Sequence, residues 1–240
     1  MRVINAERGS DEMISPSDVL IFDLDGTLVQ SVEFDDAFYQ EAVTEVLGHS
    51  RYSTDWERYT HVTDTGLLSE LLSRLGIDAS RQQPVIDQVR ESFCDKVAAY
   101  LSSGAHCTAT PGALDMLQGL KFAGIKFGIA TGGWGKTARM KLRHAGIEEP
   151  AALSSSDDAV ARADIMQHCL QRLDAQREGA VYFGDGPWDA KATAALGWKF
   201  VGVGDRLAGK CDVWISDFVD PAWIAAQQHI TERVRACVDD

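Results

Sequence analysis

No two cysteines of this sequence form a Cys-x-x-Cys pair. Cys94, Cys107, Cys169, Cys211 and Cys237 are odd in number and widely separated, which argues against a disulfide framework or a zinc site and fits reduced, mostly structural thiols. Basic charge is also short. The 23 lysines and arginines face 36 aspartates and glutamates, a formal net charge of −13, so the overall field does not hold this chain to nucleic acid or an anionic membrane. A local basic pocket for a small anion stays open. No apolar run reaches the length of a membrane span. The first residues, with Glu7, Asp11 and Glu12 and no apolar core, lack the pattern of a secretory signal. Internal repeats and low-complexity tracts are missing as well. What is present is an ordinary globular composition, 45% hydrophobic and 25% charged over 240 residues, enough for one large domain or for a domain carrying a smaller one. The expectation is a soluble cytoplasmic protein with no nucleic-acid or membrane partner.

Met1 to Asp18 is polar, contains Gly9, Ser10 and Pro16, and reads as a leader. Val19 to Phe22 is an apolar run of the kind that forms a buried parallel strand. From Phe34 to Leu47 the apolar residues recur at helical spacing, with Gly48 as a stop. Ser50 to Thr65 has no period and reads as a loop. Helices from Leu67 to Leu75 and from about Pro84 to Leu101 follow. At Pro111-Gly112 a new alternation begins, with a helix through Phe122 and strands at Ile125 to Ala130, Ala151 to Ser154, Ala180 to Phe183 and Lys199 to Val203. These alternate with helices near Trp134 to Ala145, Ala163 to Leu173 and Trp188 to Leu196. A short strand at Asp212 to Ile215 and a closing helix from Pro221 to Val238 complete the pattern. This predicts an α/β fold, a doubly wound and mostly parallel sheet with a Rossmann-like core, whose ligands bind outside the carboxyl ends of the strands. The all-helical block at 31–106 interrupts that alternation and reads as an inserted α-helical cap on a core of 19–30 and 107–240.

Four strand ends carry polar residues that this topology would bring to one crevice. The first delivers Asp23 and Asp25, which a solvated turn, a bound metal or a catalytic proton would each explain. The second delivers Thr131-Gly132-Gly133, and the fourth delivers Gly184-Asp185-Gly186-Pro187-Trp188-Asp189. Arg162 opens the helix after the third. Several carboxylates, a hydroxyl, a fixed cation and exposed glycine amides form an inventory for phosphoryl transfer, in which hard carboxylate oxygens hold Mg2+ and cations stabilise charge on the transferring oxygens.

Phe22-Asp23-Leu24-Asp25-Gly26-Thr27-Leu28-Val29, Ile129-Ala130-Thr131, Arg162 with Asp164-Ile165, and Gly184-Asp185-Gly186-Pro187-Trp188-Asp189 resemble, in order, the four motifs of the haloacid dehalogenase superfamily. The helical block resembles that family's first-type cap, and the likeness runs from Val19 onward. It implies that Asp23 is a nucleophile forming an aspartyl-phosphate and that Asp25 is the acid/base. It also implies a Mg2+ site of Asp23, Asp185 and the carbonyl of Asp25, with Asp189 ordering metal-bound water or the basic residue. Thr131 and the Gly132 amide would bind phosphate and Arg162 would neutralise it. Asp25 argues against dehalogenation, since the dehalogenases lack an acid/base there. Arg162 departs from the lysine of many members, keeping the charge but adding a planar fork. The implied activity is a Mg2+-dependent phosphatase of a small phosphorylated metabolite, acting as a monomer or weak homodimer. A phosphotransferase or mutase acting on a sugar phosphate uses the same residues, and a non-catalytic ligand-binding relative is the alternative of another class.

Substrate choice is expected from the cap stretch Trp56 to Thr65, with Arg58, His61 and Thr63 as candidate contacts and Arg51 as a further cation. Trp56 and Tyr59 could equally pack the cap interior. His61 could be an ordinary surface or core histidine. Trp134 and Trp188 are either lids or packing residues. Asp157 and Asp158 read as a structural acidic pair.

Overall fold

A computed structural model describes residues 19–48, 53, 55–174, 179–221 and 223–224. The leader, Arg51 and most of the closing helix expected at Pro221 to Val238 lie outside the described residues.

Strands β1 (Leu20–Phe22), β4 (Phe127–Ala130), β5 (Leu153–Ser154), β6 (Val181–Gly184), β7 (Lys199–Val203) and β8 (Trp214–Ile215) form one parallel sheet in the order β5-β4-β1-β6-β7-β8. The first strand lies at its centre. Its side chains alternate across the sheet. Leu20 and Phe22 enter a core on the face of α4 (Ala113–Phe122) and α5 (Gly135–His144), where Phe22 stacks on Phe183 with ring centroids 4.7 Å apart. Val19 and Ile21 enter a second core on the face of α6 (Arg162–Arg172). With α7 (Pro187–Leu196) after β6, the arrangement is the doubly wound α/β fold expected from the alternation.

A two-stranded antiparallel ribbon, β2 (Val29–Gln30) and β3 (Thr108–Ala109), brackets the helical insertion. Two-residue strands carry no readable period, and the sequence gives no sign of this ribbon. Between them stand α1 (Val32–Leu47), a 3₁₀ turn at Trp56–Arg58, α2 (Asp64–Arg74) and α3 (Ala79–Ser102). Gly48 ends α1 in the left-handed conformation. The second helix starts at Asp64, ahead of the apolar run, because the Thr63 hydroxyl accepts the Gly66 N–H and caps it. The third starts before Pro84, which lies inside it. Phe93 of α3 and Tyr39 of α1 pack on Trp134 of the core, with ring centroids 5.8 Å from it in both pairs. No helix among the described residues is long and apolar enough to cross a membrane.

Candidate active site

Because the strands run the same way, the carboxyl ends of β1, β4 and β6 open on one cavity, lined by Asp23, Asp25, Thr131, Gly132, Arg162 and Asp185 together with residues of the insertion. Asp23 leaves β1 with its N–H bonded to the Phe183 carbonyl at 2.8 Å. The chain then folds back through Gly26, whose φ of +78° and close approach to Asp185 leave no room for a Cβ.

Asp23, Asp185 and Asp189 bring carboxylate oxygens within 4.8 Å of one another, all three buried. Burial, opposed by Arg162 and reinforced by Asp189 and Asp25, lifts Asp23 to about 8. Burial and the charge of Asp23 raise Asp185 to about 7, and burial raises Asp189 to about 6 against the pull of Arg162. Three hard oxygen donors whose negative charge is left undercompensated fit a small divalent cation. The Asp25 side chain stands apart from this trio. Its Oδ1 accepts from Lys141 Nζ at 2.6 Å and from the Ser31 hydroxyl, so only its backbone could join the metal set that the resemblance implies.

Arg162 reaches across from α6 and forms 3.2 Å and 2.8 Å contacts through Nη1 with Asp23 and Asp189. Its Nη2 donates to the Val62 carbonyl at 3.1 Å. Burial works against its charge, and the two aspartates outweigh that and raise its pKa. A Cβ on Gly132 would fall 2.3 Å from Nη2, so the fork of an arginine and the bare glycine are matched. Asp189 also accepts the Gly186 N–H at 3.0 Å, which fixes it at the start of α7. Thr131 is buried at the end of β4, its Oγ1 accepting the Gly133 N–H at 3.1 Å.

The expected contacts from the insertion divide. Thr63 lines the cavity, yet its hydroxyl is engaged twice, donating to the Val160 carbonyl at 2.7 Å and capping α2. It therefore acts as a structural link and not as a free substrate contact. Arg58 lies off the cavity, 67% exposed and 3.7 Å from Asp55. His61 also misses the lining and packs against Gly66. Among the described residues of the stretch, Trp56, Val62, Thr63 and Asp64 line the cavity, whereas Arg58 and His61 do not. Trp134 is fully buried, its indole N–H bonded to Thr65 Oγ1 at 2.9 Å, which settles it as packing, whereas Trp188 lines the cavity under Arg206. Asp157 accepts the Gly135 N–H and Asp158 pairs with Arg172, so both are structural.

Asp35, Asp64 and Arg206 line the cavity and Lys141 is buried behind it, and none of the four was singled out from the sequence. Asp64 is half-buried and receives the Trp134 N–H at 2.9 Å, while its own N–H donates to the Gly132 carbonyl at 2.8 Å, latching the insertion to the loop after β4. Arg206 stands 3.3 Å from Asp185. Lys141 is 0% exposed and bonded to Asp25 and Asp35. Burial raises Asp35 to about 7 despite the nearby lysine. An acid in a helix's first turn reads as dipole compensation. For Lys141 a signal existed: Trp134, Ala138, Lys141 and Ala145 share one helical stripe, and a charge in an apolar stripe is a buried charge.

Residues 20–203 match the family described as haloacid dehalogenase-like hydrolase. The tyrosine-protein kinase PtkA of Mycobacterium tuberculosis is 28% identical over 202 residues, covering 82% of this chain and 65% of that protein. The chain thus spans less than two thirds of the length of this curated relative. Among solved structures, CbbY from Rhodobacter sphaeroides in complex with phosphate superposes with a TM-score of 0.69 at 21% identity, over 88% of this chain and 99% of that one. The β-phosphoglucomutase from Clostridium difficile superposes with a TM-score of 0.67 at 15% identity, over 93% and 99%. At these identities the structural likenesses establish the shared fold. With the family match spanning most of the sequence, the chain belongs to the haloacid dehalogenase-like hydrolases.

Proposed function

We propose that the protein is a Mg2+-dependent phosphatase of a small phosphomonoester. The observation that carries this reading is the meeting of Asp23, Asp25, Arg162 and Asp185 on one cavity at the carboxyl ends of β1 and β6, with Asp189 buried behind them against Arg162. Asp23, Asp185 and Asp189 would hold the ion with their carboxylates, and Asp25 with its carbonyl. Bound there, Mg2+ neutralises carboxylate and phosphate charge and so allows two anions to meet.

The chain's own residues then divide the work. Arg162 and the amides after Thr131 bind the phosphate oxygens. A carboxylate oxygen of Asp23 attacks phosphorus, the bond from phosphorus to the ester oxygen breaks, and Asp25 gives its proton to that departing oxygen. Asp25 then takes a proton from water as the water oxygen attacks the aspartyl-phosphate, releasing phosphate and regenerating Asp23. The insertion, as a cap, lines the cavity with Trp56, Val62 and Leu67 and so shields the reacting groups from bulk water.

The names of two likenesses, a tyrosine kinase and a phosphoglucomutase, favour a second reading in which a hydroxyl takes the place of water as acceptor. One experiment separates these possibilities. Phosphate release is measured over a panel of sugar phosphates, nucleotides, phosphoglycolate and an aryl phosphate with Mg2+, for the native chain and for Asp23→Asn. Release by the native chain and none by the variant is expected. Equal release by both overturns the nucleophile, and a phosphorylated or isomerised product in place of free phosphate supports transfer.

A further inference from the structure

Lys141 belongs to none of the four strand-end motifs, yet it is the most completely enclosed cation of the site. Three segments meet on it: α5 supplies the lysine, the turn after β1 supplies Asp25, and α1 of the insertion supplies Asp35. An ammonium wholly withdrawn from water is expensive unless matched, and a methionine or leucine would fill the same place in the α5 stripe without that cost. Here it is matched twice.

The two oxygens of Asp25 have different surroundings. Oδ1 takes both Lys141 and Ser31. Oδ2 faces the loop after β4, lying 3.5 Å from the point where a Gly133 side chain would begin, the same distance as Thr131 Oγ1 from that point. One oxygen is tethered to the protein while the other is presented to the phosphate-binding turn.

We propose that Lys141, held in turn by Asp35, is a positioning residue for the acid/base. It fixes Oδ1 of Asp25 so that Oδ2 faces first the leaving oxygen and then water. The lysine keeps its own protons throughout; the proton that moves is the one on Asp25. This rests on the phosphatase reading above.

The test exploits leaving-group chemistry. Nitrophenolate departs without a proton, whereas an alkoxide does not. Single-turnover formation of the phosphoenzyme is followed with 4-nitrophenyl phosphate and with the best alkyl phosphate of the panel, for the native chain, Lys141→Met and Asp35→Asn. The second variant leaves Lys141 and Asp25 as a matched pair, so it folds even where the first does not. With Lys141→Met the alkyl step is expected to slow about 100-fold and the nitrophenyl step less than about 3-fold. For Asp35→Asn the alkyl step slows about 10-fold, with KM within about 3-fold of native in both. An equal slowing of both substrates, or no slowing in Asp35→Asn, overturns the positioning role while leaving the phosphatase reading intact. A native chain that turns over no panel member overturns both.

Discussion

Gly26 and Asp185 interlock across the mouth of the sheet: a Cβ on Gly26 would stand 2.4 Å from Oδ2 of Asp185. The glycine also holds a φ of +78°, so its lack of a side chain serves the backbone and the neighbouring carboxylate together. Gly26→Ala is therefore expected to cost about 1–2 kcal/mol of stability. It should also raise the Mg2+ concentration for half-maximal activity by about tenfold or more, through displacement of Asp185. Urea unfolding and a Mg2+ titration measure the two effects. An unchanged Mg2+ requirement would contradict the contact's importance.

The acidic trio makes the metal-free protein sensitive to pH. Asp23 at about 8, Asp185 at about 7 and Asp189 at about 6 all lie above an ordinary carboxylate. The folded chain then holds protons that the unfolded chain has lost, so stability falls as pH rises through this window. With chelator present the melting temperature should drop between about pH 5.5 and about pH 8. Added Mg2+ should raise it more at the higher pH, where protons no longer compete. A melting temperature that climbs with pH in chelator would be the wrong sign.

Arg162 uses two arms, one for Asp23 and Asp189 and one for the Val62 carbonyl. A lysine could serve the carboxylates or the carbonyl. Arg162→Lys should keep the fold and lower kcat/KM by about 10-fold, while Arg162→Met removes the cation shared by Asp23 and Asp189 and should destabilise more at about pH 8 than at about pH 6, because both acids then hold their protons more tightly. Thermal melts beside kinetics on both variants distinguish loss of charge from loss of the fork.

Thr63 and Arg58 provide a contrast within the insertion. Thr63→Ala removes the α2 cap and the bond to Val160, and should cost about 1–2 kcal/mol, with Thr63→Ser restoring most of it. Arg58→Ala should leave stability within about 0.5 kcal/mol and KM unchanged, since its ion pair with Asp55 is exposed. A raised KM in the Arg58 variant would place that side chain at the substrate after all.

The sheet was legible because its signals are local. Buried strands read as short apolar runs, and the strand ends carry Asp23, Thr131 and Asp185 directly after them. Arg162 could be placed because a helix begins on it. The ribbon of β2 and β3 was not legible, being two residues a side and held by partners far along the chain. Nor was the facing of Arg58 and His61, which lie in an irregular stretch without a period. Lys141 lay between these cases: its stripe was visible, but its partners come from far earlier in the sequence, Asp25 ahead of the insertion and Asp35 within its first helix.

The placement of β1 governs the order in which the molecule can assemble. Leu20 pairs with Phe127 on one side and with Val181 on the other, so the strand bearing Asp23 has no neighbour until distant parts of the sequence exist. Such non-local pairing is slow, and a nascent chain must keep an apolar Leu-Ile-Phe segment unpaired meanwhile. The insertion, whose helices contact one another, can condense early by itself. The acidic trio is complete only once β6 has docked beside β1 and brought Asp185 and Asp189 to Asp23.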